Sequence, residues 1–123
     1  MPSLFLFIKY FITFIVVELE KEIEQSTLQL LALKNPELDS FISFRQYIIK
    51  YINELINSDF QYLMFLLYRI DVSEERIKKL LSNTDVYAAE IITDLILERQ
   101  KQKAISRQQF KSQQHIVDDE EAW

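Results

Sequence analysis

The stretch Asp85–Phe110, DVYAAEIITDLILERQKQKAISRQQF, decides the fold. Ala88, Ile91, Ile92, Leu95 and Ile96 recur at helical spacing in its front half. No glycine or proline interrupts the run. It predicts one long helix that changes character halfway. From Arg99 to Lys111 the residues Arg99, Lys101, Lys103, Arg107 and Lys111 are basic and no acid separates them. The front half is expected to pack, and the back half to present a basic surface.

The rest of the composition agrees with helices. The chain has 123 residues and 49% of them are apolar, enough for one core and too many for general disorder. Glycine is absent, where average usage of about 7% would supply roughly eight or nine. That argues against hairpins, phosphate-binding glycine loops and nucleophile elbows. Cysteine is absent too, which removes disulfides, zinc–thiolate sites and thiol nucleophiles. The net charge of −5 confines any contact with a polyanion to a local patch. Without glycine, Asn35, Asn57 and Asn83 are the expected left-handed residues at helix ends, with Pro36 favouring an extended backbone at Asn35.

Working outward, Glu18–Lys34 is the first amphipathic helix, with Leu19, Ile23, Leu30 and Leu31 on its stripe and four acids in its opening turns. Asn35-Pro36 ends it. Asp39 or Ser40 caps a second helix through about Ile56, carrying Phe41, Phe44, Ile48, Ile52 and Leu55. Ser58 or Asp59 caps a third, Phe60–Ile70, which is apolar nearly all round and therefore expected to be the most buried. Ser73 caps a short fourth helix through Leu81, with Ile77, Leu80 and Leu81 facing inward. The expected core is Leu19, Ile23, Leu30, Phe44, Ile48, Ile52, Leu55, Leu63, Leu66, Leu67, Ile70, Ile77, Leu81, Ile91, Ile92 and Leu95. Residues 111–123 read as a polar tail, solvated and acidic at Asp118–Glu121.

Leu4–Val17 is apolar except for Lys9 and Thr13. As a helix it spans about 21 Å, against the roughly 30 Å of a bilayer core. No basic region precedes it, and no small-residue cleavage pattern follows. Three readings stand: a short membrane anchor, a buried element of the domain, or a leader outside the working protein.

Catalytic chemistry finds little support. His115 is the single histidine and lies in the expected tail, where nothing fixes a general base. Glu18, Glu20, Glu22 and Glu24 scatter around a helix, and no Glu-x-x-His motif accompanies them. No cofactor or metal site is expected. The basic segment Arg99–Lys111 is the candidate surface for phosphates. A helix–turn–helix built from Ser73–Leu81 and Asp85–Leu97 would lack the usual turn glycine and would carry Glu90, Asp94 and Glu98 toward the groove. A solvated helix end, its cations favoured by the helix dipole, is the commoner meaning of such a segment. The acidic Asp118–Glu121 offers an internal competitor able to fold back on it.

The run Leu67–Glu75 (LYRIDVSEE), followed by Ala88–Ile92 and Leu95–Gln100, resembles a family of small uncharacterised all-α bacterial proteins. The resemblance covers about Phe60 to Phe110. It implies a helical fold that starts directly in a helix, and it attaches no activity, ligand or site residue.

The expectation is an all-α, antiparallel bundle of four or five helices with a long C-terminal helix. Its parts are the apolar segment 1–17, the bundle 18–110 and the tail 111–123. The expected function is non-enzymatic: an interaction or scaffold protein that binds a protein partner or itself, in the cytoplasm. Membrane attachment through Leu4–Val17 and nucleic-acid binding through 99–111 are the alternatives.

Overall fold

The computed structural model describes residues 2–72, 74–83 and 87–121, and the backbone alone for residues 2, 76, 80, 81, 83, 112 and 114–121. Five helices follow one another: α1 (Pro2–Leu31), α2 (Phe41–Ser58), α3 (Phe60–Arg69), α4 (Glu74–Asn83) and α5 (Ala88–Glu121). The fold is an all-α bundle. α5 is its spine and packs against α1, α2 and α4, while α3 leans on α2. Phe41 lies beside Leu97 and Glu98, and four residues later Arg45 pairs with Asp94, so α2 runs antiparallel to α5. The Arg45–Asp94 pair is bidentate, at 2.8 and 3.0 Å.

The buried stripe of α5 is Ala89, Ile92, Thr93, Ile96, Leu97, Gln100 and Ala104. It is rotated from the expected one, and Ile91 and Leu95 are only half-buried. Polar Thr93 and Gln100 and small Ala104 continue the i, i+3/i+4 spacing that larger apolar residues begin. In α1 the buried positions are Ile23, Thr27, Leu28 and Leu31, with Leu19 and Leu30 only partly covered. Thr27 donates its hydroxyl to the Ile23 carbonyl at 2.7 Å. Thr93 Oγ1 is buried without a hydrogen-bond partner among the described residues.

Two expected caps are resolved. Ser40 Oγ accepts from the Ser43 amide at 3.1 Å, and Asp59 Oδ1 accepts from the Tyr62 amide at 3.1 Å. Ser73, Asp85 and the side chains of Leu80, Leu81 and His115 lie outside the described residues.

Other expectations need correction. α3 is not the most buried helix. Leu63, Leu66 and Leu67 are inside, while Phe60, Tyr62, Phe65 and Tyr68 stay exposed on a face that the described elements leave largely uncovered. Among the described residues the left-handed ones are Ala32, Glu37 and Asp71, not the asparagines. Asn35 instead accepts the Glu37 amide through its side chain at 3.0 Å. Asn57 is inside α2, and Asn83 inside α4. Ala32 and Asp71 both close Schellman motifs. Ala32 N–H donates to the Gln29 carbonyl and Leu33 N–H to that of Leu28; Asp71 N–H donates to Tyr68 and Val72 N–H to Leu67.

The outer limits of α1 and α5 also differ. The change at Glu18 is one of burial, not of secondary structure, since α1 runs unbroken from Pro2. α5 continues through the expected tail to Glu121, and no glycine or proline lies within it to break the helix. An unbroken helix gives Asp118–Glu121 no turn on which to fold back.

Two substitutions test this account by urea unfolding. Ala32→Gly relieves the Cβ clash of a left-handed alanine and is expected to raise stability by up to about 1 kcal/mol, the reverse of the usual effect of glycine. Thr93→Val keeps the shape, removes the unpartnered hydroxyl and is expected to stabilise by about 1 kcal/mol.

Candidate functional site

The basic segment emerges from the bundle along the back half of α5. Arg99, Lys103, Arg107 and Lys111 recur every fourth residue and follow one slowly turning stripe, while Lys101 points away from it. The fold uses two of these cations itself. Arg99 Nε reaches the Ile70 carbonyl at the end of α3 at 3.4 Å, and its Nη2 lies 3.7 Å from Asp71. It thereby ties the C-terminus of α3 to the spine, where a cation also meets the negative end of the helix. Arg107 pairs with Glu22 of α1 at 3.2 Å, and Gln108 Nε2 donates to the other oxygen of Glu22 at 3.3 Å. Lys101, Lys103 and Lys111 make no ion pair among the described residues, and Lys103 is half-buried. The segment thus presents a thinner cationic surface than five basic residues promise.

A second surface is larger. Leu4, Phe5, Leu6, Phe7, Ile8, Tyr10, Phe11, Ile12, Phe14, Ile15, Val16 and Val17 are all 40–73% exposed. The apolar segment is therefore not a buried element of the domain. It is an arm, the free half of a 30-residue helix whose other half is rooted in the core. Phe7 and Phe11 stack one turn apart with ring centroids 6.3 Å apart. Thr13 returns its hydroxyl to the Lys9 carbonyl at 2.9 Å, so the one neutral polar side chain of the arm is satisfied within it. Lys9 is exposed and makes no ion pair among the described residues. No described helix is long and apolar enough to cross a membrane.

At the root of the arm an open pocket of about 360 Å³ is lined by Val16, Leu19, Ile23, Phe41 and Leu97, with Glu20, Glu98 and Lys101 at its rim. A neighbouring hollow takes in Val17, Glu20, Glu24 and the turn Leu38–Phe41. Burial, then the adjacent Glu20 carboxylate, push the Glu24 carboxyl above its usual range, and Lys21 offsets only part of this. A third pocket, about 290 Å³, lies between α3 and α4 under Met64, Phe65, Tyr68, Val72 and Ile77. Among the described residues no three acidic or imidazole groups converge as a metal site would require.

The arm's exposure was open to sequence reasoning only as one of three alternatives. The pocket at its root joins α1, α2 and α5, and no spacing within a single segment signals it.

The burial of Glu24, with Glu20 beside it, has a pH signature. The folded state holds the Glu24 proton more tightly than the unfolded chain does. Stability therefore falls as pH rises from the ordinary Glu value through the raised folded value, and the penalty persists above it. Glu24→Gln is expected to be more stable than the parent at pH 7, with the difference vanishing below about pH 4, as read from urea midpoints across that range.

Comparison with known proteins returns no match of any kind: no family model, no curated protein and no solved structure aligns with the chain.

Proposed function

We propose that the chain is a non-enzymatic helical interaction module whose contact element is the arm Leu4–Val17. The exposure of its twelve large apolar side chains carries the reading. With each half-exposed, they present on the order of 1,000 Å² of apolar surface. The largest apolar patch of an ordinary monomer is about 300–600 Å². A helix apolar on every side is a helix whose surroundings are incomplete. The basic segment 99–111 is the weaker candidate, since Arg99 and Arg107 serve the bundle's own joints.

Removal of residues 1–17 tests the reading, because none of residues 3–17 belongs to the core. The shortened chain is expected to keep the helical circular dichroism of residues 18–123 and to melt within about 4–8 °C of the parent. It is expected to lose association in sedimentation velocity and binding of a hydrophobic dye. Equal sedimentation and equal dye binding in both chains would sink the proposal.

A further inference from the structure

The arm's charges say what covers it. Lys9 stands alone among apolar residues, while Glu20 and Glu24, about three and four turns further along, repel each other on one helix face. Neither carboxylate forms an ion pair among the described residues. The helix thus holds a cation and two acids outside any ion pair among the described residues, with Glu20 about 16 Å from Lys9 along its axis. A second copy laid head to tail brings Lys9 of each against Glu20 of the other. A parallel copy in register would set Lys9 against Lys9 and Glu20 against Glu20.

We infer that the arm is covered by the arm of a second copy, running antiparallel about a two-fold axis near Phe14 and Ile15, so that Lys9 of each copy meets the partner's Glu20. This rests on the arm being the contact element. The contact repeats twice by symmetry. In the same register the tip at Phe5 and Leu6 arrives level with Glu24 and Ile23 of the second copy. That is where the open 360 Å³ pocket lies, its floor made by Val16, Leu19, Phe41 and Leu97. Pairing that covers half of each arm, with the two tips seated, removes roughly 1,000–1,200 Å² in total, the lower bound for a specific interface. Lipid tails offer Lys9, in the middle of the arm, no counter-charge, and the arm's span of about 21 Å falls short of a bilayer core.

Charge exchange in the full chain, followed by sedimentation equilibrium at low salt, tests the inference. Lys9→Glu alone and Glu20→Lys with Glu24→Lys are each expected to weaken the dimer by roughly tenfold or more. The triple variant, with all three charges reversed, is expected to return to within about threefold of the parent. Lys9 is exposed and Glu20 and Glu24 are partly exposed, and circular dichroism checks that each variant is folded. A dimer indifferent to the single reversals overturns the inference, as does a triple variant no tighter than its parts. So does a full chain that stays monomeric in buffer and binds only phosphatidylcholine vesicles, although that outcome leaves the arm as the contact element. Loss of the arm reading itself shows separately, as association that survives removal of residues 1–17.

Discussion

Everything in this fold hangs on the contact between the inner stripe of α5 and the helices laid along it. Ile92, Ile96 and Leu97 give α1, α2 and α4 a common apolar surface, and Ala89 and Ala104 let neighbours approach closely. Isolated helices of ten residues, the length of α3 and α4, are marginal in water, so their stability comes from this packing. The polar ties are placed at the edges of that contact. Arg45–Asp94 joins α2 to α5, Arg107–Glu22 joins α1 to α5, and Arg99 joins the end of α3 to α5. Each is partly exposed, so each contributes little energy and mainly fixes which helix faces which.

The lack of glycine shapes the joints. A helix that must turn sharply needs a left-handed residue, and here Ala32 and Asp71 take that role in otherwise regular Schellman motifs. The hydrogen bonds of the motif and the apolar contacts of Leu33 and Val72 with the core offset the strain of a Cβ in that region. The same lack of breakers lets α1 and α5 run long. Both extend past the bundle, which is how a chain of this size comes to have a free arm at all.

Much of the fold was legible in the sequence because helical periodicity and capping residues are local signals. Ser40 and Asp59 cap where their side chains predict, and Phe44, Ile48, Ile52 and Leu55 form the inner face of α2 as their spacing requires. The failures are of a different kind. Which face of α5 is inside depends on three neighbours at once, and the answer passes through Thr93 and Gln100, residues that a hydrophobic pattern counts as outside. α3 is apolar all round, yet its neighbours cover one side only, so Phe65 and Tyr68 remain in solvent. The partners of Arg99 and Arg107 lie 28 and 85 residues away, and no local rule separates a cation that holds helices together from one that awaits a phosphate.

The two candidate surfaces differ in what water does for them. A lysine on an exposed helix face is well solvated, so Lys101 and Lys111 carry no penalty that a partner must relieve. An exposed phenylalanine has no such alternative. Hydrophobicity alone leaves such a contact without direction, because an apolar cylinder has no preferred face. Direction has to come from the charges at its middle and root. Lys9 alone forbids a deep apolar burial without a carboxylate nearby, and Glu20 and Glu24 sit where the helix enters the core. In the proposed pairing, composition makes the arm sticky and the placement of three charges makes it selective.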